Sequence, residues 1–363
     1  MTDILPFLKS MISTSGVSGY ETSIARIIEQ TWRPLVDELS MSRVGSLHGL
    51  KRGNVTGSVN NAARGKQPSI LIAAHMDAIG MMVSKVTDGF LHITKVGGID
   101  VRVLPGASVT VHASSGDELP GIIAMPSAKL LPEDVKGGDV LEIEYLMVDT
   151  GLTPREVARK VKVGDLVSFA NEPMDLADEV ISGHTLDNRA SVAALTACLE
   201  ELQSKSHVWD VWAVATVQEE TSFLGAYTSA FELQPQIAVA VDGTFAKGPG
   251  ANGWRTHPMG KGVGVCMGPN LHPYLHKKLT DLATKLEISW FLDVTSSHSG
   301  TDAYPIQVTA EGIPTALVEF PLRYMHTTVE AVSLKDIRRV GRLLAEFIAS
   351  LELDFVETIT WDD

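Results

Sequence analysis

The sequence predicts an α/β protein with a β-rich segment inserted between its two halves, and three observations carry that expectation. Apolar strand-like runs ending in acids or histidines alternate with amphipathic helical stretches near both ends of the chain. Between about residues 84 and 178 the pattern changes to short β runs broken by Gly and Pro. At 363 residues, 44% of them hydrophobic, the chain has the length for about two domains and the apolar material for a packed core.

The elements follow in order. "ETSIARIIEQTW" puts Ile24, Ile27, Ile28 and Trp32 on one helical face before Pro34 stops the helix. "SILIAAHMDAIG" reads as a core strand in which Ile70, Leu71 and Ile72 run into a polar end. The β runs of the middle segment are "FLHITKV", "SVTVHA", "LPGIIAM", "DVLEIEYLMV" and "DLVSFA". One helix, "TPREVARKV", interrupts them, with a capping box from Thr153 to Glu156 and Pro154 at its first position. After about residue 180 the α/β pattern resumes with a helix at "ASVAALTACLEEL" and strands at "WDVWAVATVQEE" and "QIAVAVDG". The last helix, "SLKDIRRVGRLLAEFIASLE", has Ser333 as its expected cap and Leu334, Ile337, Val340, Leu344, Phe347 and Leu351 on one face. The expected division is an α/β unit in two parts, residues 1–83 and 179–363, around an inserted β-rich unit, residues 84–178.

Composition narrows the function classes. A net charge of -14 argues against nucleic-acid and anionic-membrane partners, because phosphate binding needs clustered Lys and Arg. Cys198 and Cys266 sit in unrelated contexts, so neither a disulfide framework nor a thiolate zinc cluster is expected. The N-terminal stretch lacks a signal-peptide layout and no apolar run approaches about 18 residues, which points to a cytoplasmic protein.

Polar residues gather where apolar runs end: His75 and Asp77 in "AAHMDAIG", Asp187 in "HTLDNRAS", Glu219 and Glu220 in "VQEE", Asp242 in "VAVDG", and His326 in "RYMHTTVE". In open α/β sheets, ligand sites form outside the carboxyl ends of strands, so these groups can converge. Converged acids then pose a charge problem, since two like charges about 4 Å apart repel by roughly 4 kcal/mol at an effective dielectric of 20. Two divalent cations would reverse the sign, with imidazoles as neutral further ligands. Residues two apart on a strand face the same way, so Asp77 can hold one ring nitrogen of His75 while the other binds metal. Consecutive strand residues face opposite ways, so Glu219 and Glu220 reach one cleft only where the strand turns into its loop. One of them would ligate metal, and its neighbour would take a proton from the attacking water. Asp187, with a short side chain and two oxygens, suits bridging. Ligands of nitrogen and oxygen without thiolate suit zinc or cobalt, with manganese also compatible.

"HMDAIG", "LDNR", "VQEE", "VDG", "SGTDA" and "RYMH", in this order, resemble the co-catalytic di-metal aminopeptidase family that includes glutamyl, deblocking and tetrahedral aminopeptidases. The resemblance extends over nearly the whole chain, including "SGVSGYE" near its start. It implies a phosphorylase/hydrolase-like three-layer sandwich with an inserted barrel-like domain. It also implies metal ligands His75, Asp187, Glu220, Asp242 and His326, with Asp187 bridging, Glu219 as general base and Asp77 as orienter. The implied activity is removal of N-terminal residues from peptides by a water bridging two metal ions. Homo-oligomers, from dimers up to a twelve-subunit shell, are implied as well, assembled through the inserted domain. Two other readings fit parts of the pattern: an N-acyl or amide hydrolase on the same scaffold, and a non-catalytic assembly protein with a vestigial site. His184 and His298 read as ordinary loop histidines, and Cys198 and Cys266 as packing residues. Thr301 and Asp302 suit either a pocket wall or a turn.

Overall fold

The computed structural model describes residues 3–54, 67–131 and 142–361. Four parallel strands form the middle of a mixed sheet in the order Asp210–Thr216, Ser69–His75, Ile237–Phe245 and Thr315–Arg323. Leu47–Lys51 and Glu38–Met41 continue it antiparallel on one side; Glu330–Ser333, Val180–Gly183 and Met174–Asp175 continue it on the other. Val263–Met267 pairs antiparallel with Thr315–Arg323 and carries Trp290–Val294 beside it.

Strand alternation produces the layers. Along Ser69–His75, Ile70, Ile72 and Ala74 enter one core, while Leu71 and Ala73 enter a second core on the opposite face. Val211, Ala213 and Ala215 against Val214 repeat the pattern on the neighbouring strand. The first face takes the helices Ile4–Ile12, Thr22–Trp32, Leu186–Leu202, Pro273–Lys285 and Leu334–Ala349. The second takes Leu224–Leu233 and Ala303–Gln307, so the sheet lies between two helical layers as an α/β three-layer sandwich. Both faces being covered explains why these strands read as continuous apolar runs.

The β-rich segment closes on itself. Gly80–Thr87, Phe90–Val96, Met147–Asp149, Glu118–Ala124, Ser108–His112 and Leu166–Phe169 form a closed barrel in that order. Its interior is filled by alternating residues such as Met81 and Val83, Leu91 and Ile93, and Val109 and Val111. The helix Pro154–Lys160 carries the expected capping box, with the Thr153 hydroxyl accepting from the Glu156 amide. The expected strand "DVLEIEYLMV" is only partly present. Residues 139–141 lie outside the described residues, Ile143–Tyr145 forms a short 3-10 turn, and Met147–Asp149 pairs.

Ser333 occupies the position before the last helix but does not cap it; its hydroxyl is buried without a hydrogen-bond partner among the described residues. Asp336 in the first turn reaches across to the amides of Gly260 and Gly262 instead, tying the helix start to a loop. Among the described residues no helix is long and apolar enough to cross a membrane.

Candidate metal centre

The four central strands run parallel, so their carboxyl ends open on one side of the sheet. His75 is the last residue of its strand and pairs in register with Thr216, the last of the next. Beyond Thr216 the chain breaks from the strand at Gln218, which adopts a left-handed φ of 56°, and Glu219–Ser222 forms a single helical turn. That turn brings two consecutive acids to the same cleft. The amides of Glu219 and Glu220 donate to the two carboxylate oxygens of Asp77 at 3.0 and 3.2 Å, so one buried acid fixes the turn. Asp77 also faces His75, whose Nδ1 lies 3.3 Å from its carbonyl oxygen and 3.5 Å from its Oδ1.

Asp187 stands between the two imidazoles. Its Oδ1 is 3.3 Å from His75 Nε2 and its Oδ2 is 3.5 Å from His326 Nε2. Glu219 Oε2 lies 3.7 Å from His75 Nε2, and Glu220 Oε2 lies 3.5 Å from His326 Nε2. Two groups of ligand atoms, from His75, Asp187 and Glu220 and from His75, Glu219 and Asp242, each fall within 4.8 Å of one another. Thr185, just before Asp187, and His326 itself hold left-handed backbones, φ 64° and 60°. Such conformations cost about 1–3 kcal/mol at non-glycine residues and cluster at sites where the side chain must be aimed.

The electrostatics express the crowding. Burial pushes the Glu219 and Asp242 carboxyls well above the usual range, and neighbouring acids add to it. Glu220 rises to about 7 by burial and the nearby Asp187. Asp187 runs the other way: burial alone would raise it, yet the His326 and His75 imidazoles hold it below the ordinary carboxylate range. His75 is buried, which alone would depress it, but Glu219, Asp187 and Asp77 drive it well above its usual value. His326 climbs to about 9 through Asp187 chiefly. Every shift but that of Asp187 favours the more protonated form, and Asp187 itself leans on two charged imidazoles. The cluster therefore attracts positive charge, and its nitrogen and carboxylate donors without thiolate fit divalent ions.

Several contributors were not singled out from sequence. Glu330 is buried and accepts from the amides of Asp187 at 2.9 Å and His326 at 2.8 Å; it closes the quoted "RYMHTTVE" stretch. Asn188 donates to the carbonyl of Val241, the residue before Asp242. Arg189 is fully buried and donates to the carbonyls of Met76, Met11 and Thr14. Gly98, in "VGGID" after a barrel strand, accepts from His326 Nδ1 at 2.9 Å through its carbonyl. Asp242 stands inside its strand, which runs on to Phe245, instead of at its end.

His184 is buried toward the barrel, away from this cluster, and His298 packs on Tyr304 with ring centroids 5.1 Å apart. Asp302 accepts from Thr216 Oγ1 at 2.5 Å, and burial pushes its carboxyl up to about 6. Thr301 lines the cleft, a space of about 500 Å³, as does Cys266. Burial raises the thiols of Cys198 and Cys266, which keeps both protonated.

Comparison with known proteins agrees along the chain. The M42 glutamyl aminopeptidase family matches residues 53–343. The lysyl aminopeptidase of Pyrococcus furiosus is 30% identical over 353 residues, spanning 96% of this chain and 98% of that protein. The TET aminopeptidase from the marine sediment archaeon Thaumarchaeota archaeon SCGC AB-539-E09 has a TM-score of 0.90 at 29% identity, covering 98% of this chain and 99% of that one. The TET1 peptidase of Pyrococcus horikoshii, which can assemble into a tetrahedron or a large octahedral shell, has a TM-score of 0.81 at 28% identity, covering 96% and 100%. With the cleft, the layered sheet and a match over most of its length in agreement, this chain belongs to the M42 glutamyl aminopeptidase family and is a hydrolase of the aminopeptidase type.

Proposed function

We propose that the chain removes N-terminal residues from peptides with two divalent metal ions, and that Glu219 is its general base. The observation that carries this reading is Asp187 between the imidazoles of His75 and His326, with Glu219 and Glu220 projecting from one turn beside it. His75, Asp187 and Asp242 would hold one ion; Asp187, Glu220 and His326 would hold the other. When bound, the ions would supply Lewis acidity to the scissile carbonyl and make the attacking water more acidic. Glu219, kept off the metals, accepts the proton of the attacking water and returns it to the departing amine. Asp77 fixes both His75 and the amides of Glu219 and Glu220, so the base and a ligand share one anchor. Zinc or cobalt suits the donor set, and manganese is compatible with it.

The same reading divides the chain into a catalytic unit, residues 1–83 with 179–363, and an inserted unit, residues 84–178, that serves dimerisation and substrate access. The first barrel strand straddles the lower bound. The shells formed by the Pyrococcus horikoshii relative and the dodecamer of PhTET1-12s support a homo-oligomer, and a dimer-based assembly of up to twelve subunits is the form proposed. A cytoplasmic location completes the proposal.

Glu219→Gln tests the base directly. The variant is expected to keep two metal ions per subunit by elemental analysis while turnover of an aminoacyl anilide falls at least about a hundredfold. Near-normal turnover with full metal content would refute the assignment.

A further inference from the structure

Strand register builds a second wall of the same cleft. Asp242 pairs with Glu319, Glu319 pairs across with Gly264, and Cys266 pairs with Asp293. Laterally paired residues share a face of the sheet, as do residues two apart along a strand. Asp242, Thr244, Glu319, Cys266 and Asp293 therefore line one side, and all of them border the cleft. The cluster extends from a metal-facing acid outward along the sheet.

Glu319 is only 6% exposed, and its Oε2 is buried without a hydrogen-bond partner among the described residues. Its neighbour Asp293 is engaged differently, accepting from Thr244 Oγ1 at 2.5 Å and facing His257 Nε2 at 3.5 Å. Gly264 makes room for the acid: a Cβ there would come within 3.1 Å of the Glu319 Cβ and 2.9 Å of the Phe291 ring. Arg255 borders the cleft but is exposed, its guanidinium 4.8 Å from the Trp254 ring centroid. The cationic group is thus held at the mouth, while the Glu319 carboxyl, its Oε2 buried and unpartnered among the described residues, lines the cleft.

A buried carboxylate with a free oxygen costs free energy that an ammonium or guanidinium would offset by charge-assisted hydrogen bonding. An apolar side chain entering the cleft would leave that oxygen unpaired, and an acidic one would meet like charge. We propose that Glu319, with Asp293 beside it, forms the pocket for a basic first side chain, so that preferred substrates begin with Lys or Arg. This inference rests on the aminopeptidase reading above.

Calorimetric titration of metal-loaded protein with L-lysine and with L-norleucine isolates the ammonium, because the two ligands share a linear four-carbon stem. Wild type is expected to bind lysine at least tenfold more tightly, and Glu319→Gln to shrink that gap below threefold. In parallel, kcat/KM is measured on lysyl, arginyl, leucyl and glutamyl anilides; the lysyl-to-leucyl ratio should exceed ten and fall at least tenfold in the variant. Equal binding of the two amino acids, no binding of either, preference for the leucyl or glutamyl anilide, or a variant that lowers all four substrates alike would overturn the proposal. Should Glu319→Gln fail to fold, Asp293→Asn and the wild-type binding pair decide it. If no anilide is cleaved, the aminopeptidase reading fails while the lysine-norleucine comparison still tests the pocket.

Discussion

The carbonyl of Gly98 holds the second ring nitrogen of His326, and no side chain larger than hydrogen fits where that contact is made. A Cβ at Gly98 would stand 2.9 Å from His326 Nδ1 and 3.1 Å from its Cε1, so the ring would have to move. Gly98→Ala is therefore expected to weaken metal affinity on the His326 side by about 10–100-fold, the usual effect of disturbing a ligand's outer partner. Titration with zinc against a competing chelator measures it; two ions held as tightly as in wild type would contradict the contact's importance. Glu21 makes a different prediction. Its carboxylate accepts from the amides of Gly19 and Gln218, yet burial pushes its pKa up to about 7. An acid whose folded pKa lies above its unfolded value stabilises fully below the unfolded value, and that stability is lost as pH rises through the folded one. Glu21→Gln keeps an acceptor oxygen and removes the titration. It should match wild type near pH 4 and gain on the order of 2 kcal/mol by pH 8. Urea denaturation at the two pH values checks this, and a variant equally stable relative to wild type at both would show that burial does not burden the charge.

The turn after Thr216 and the start of Leu186–Leu202 do most to assemble the cleft, and Arg189 ties the latter to the segment after His75 and to the end of the first helix. Its guanidinium is fully buried, remains charged despite a pKa lowered by burial to about 10, and joins carbonyls of Met11, Thr14 and Met76. Arg189→Met fills much of the volume but leaves those carbonyls without their donor and takes a cation from beneath Asp77, Glu21 and Glu330. A loss of about 3 kcal/mol is expected, the scale of breaking a buried charged network from one side, read as a lower urea midpoint. An unchanged midpoint would mean that water replaces the guanidinium at no cost. These elements also explain what the sequence made legible. Apolar runs ending in His75 and in Glu219–Glu220 announced themselves because a strand covered on both faces is continuously hydrophobic, so a polar residue at its end stands out. Glu330, Asn188 and Gly98 did not, since Glu330 and Asn188 reach backbone atoms of Asp187 and Val241 and Gly98 offers its own carbonyl to the His326 ring, and periodicity carries no trace of contacts between such distant segments. The expected Ser333 cap failed for a similar reason: the site suits a cap locally, but Asp336 ties that end of the helix to Gly260 and Gly262.

Taken together, the acids and imidazoles of the centre give the protein a pH response that depends on its metal content. Without metal, Glu220 titrates near 7 and Asp302 near 6, both raised first by burial, and His326 near 9, raised by Asp187. All three have folded pKa values above their ordinary ones, so each contributes stability at low pH that is lost as pH rises through its folded value. Asp187, held low by the imidazoles, has the opposite sign, but its stability is lost only as pH falls below the ordinary carboxylate range. Between about pH 4 and 9 these groups therefore take stability from the metal-free protein as pH increases. Divalent ions remove the penalty on the ionised acids and bind only the deprotonated ligands, so their stabilisation grows over the same window. Melting temperatures of chelator-treated and zinc-reconstituted protein at pH 5, 7 and 9 are expected to diverge progressively toward alkaline pH. A gap that stays constant, or that widens toward acid, would mean that cations do not relieve the repulsion among these carboxylates.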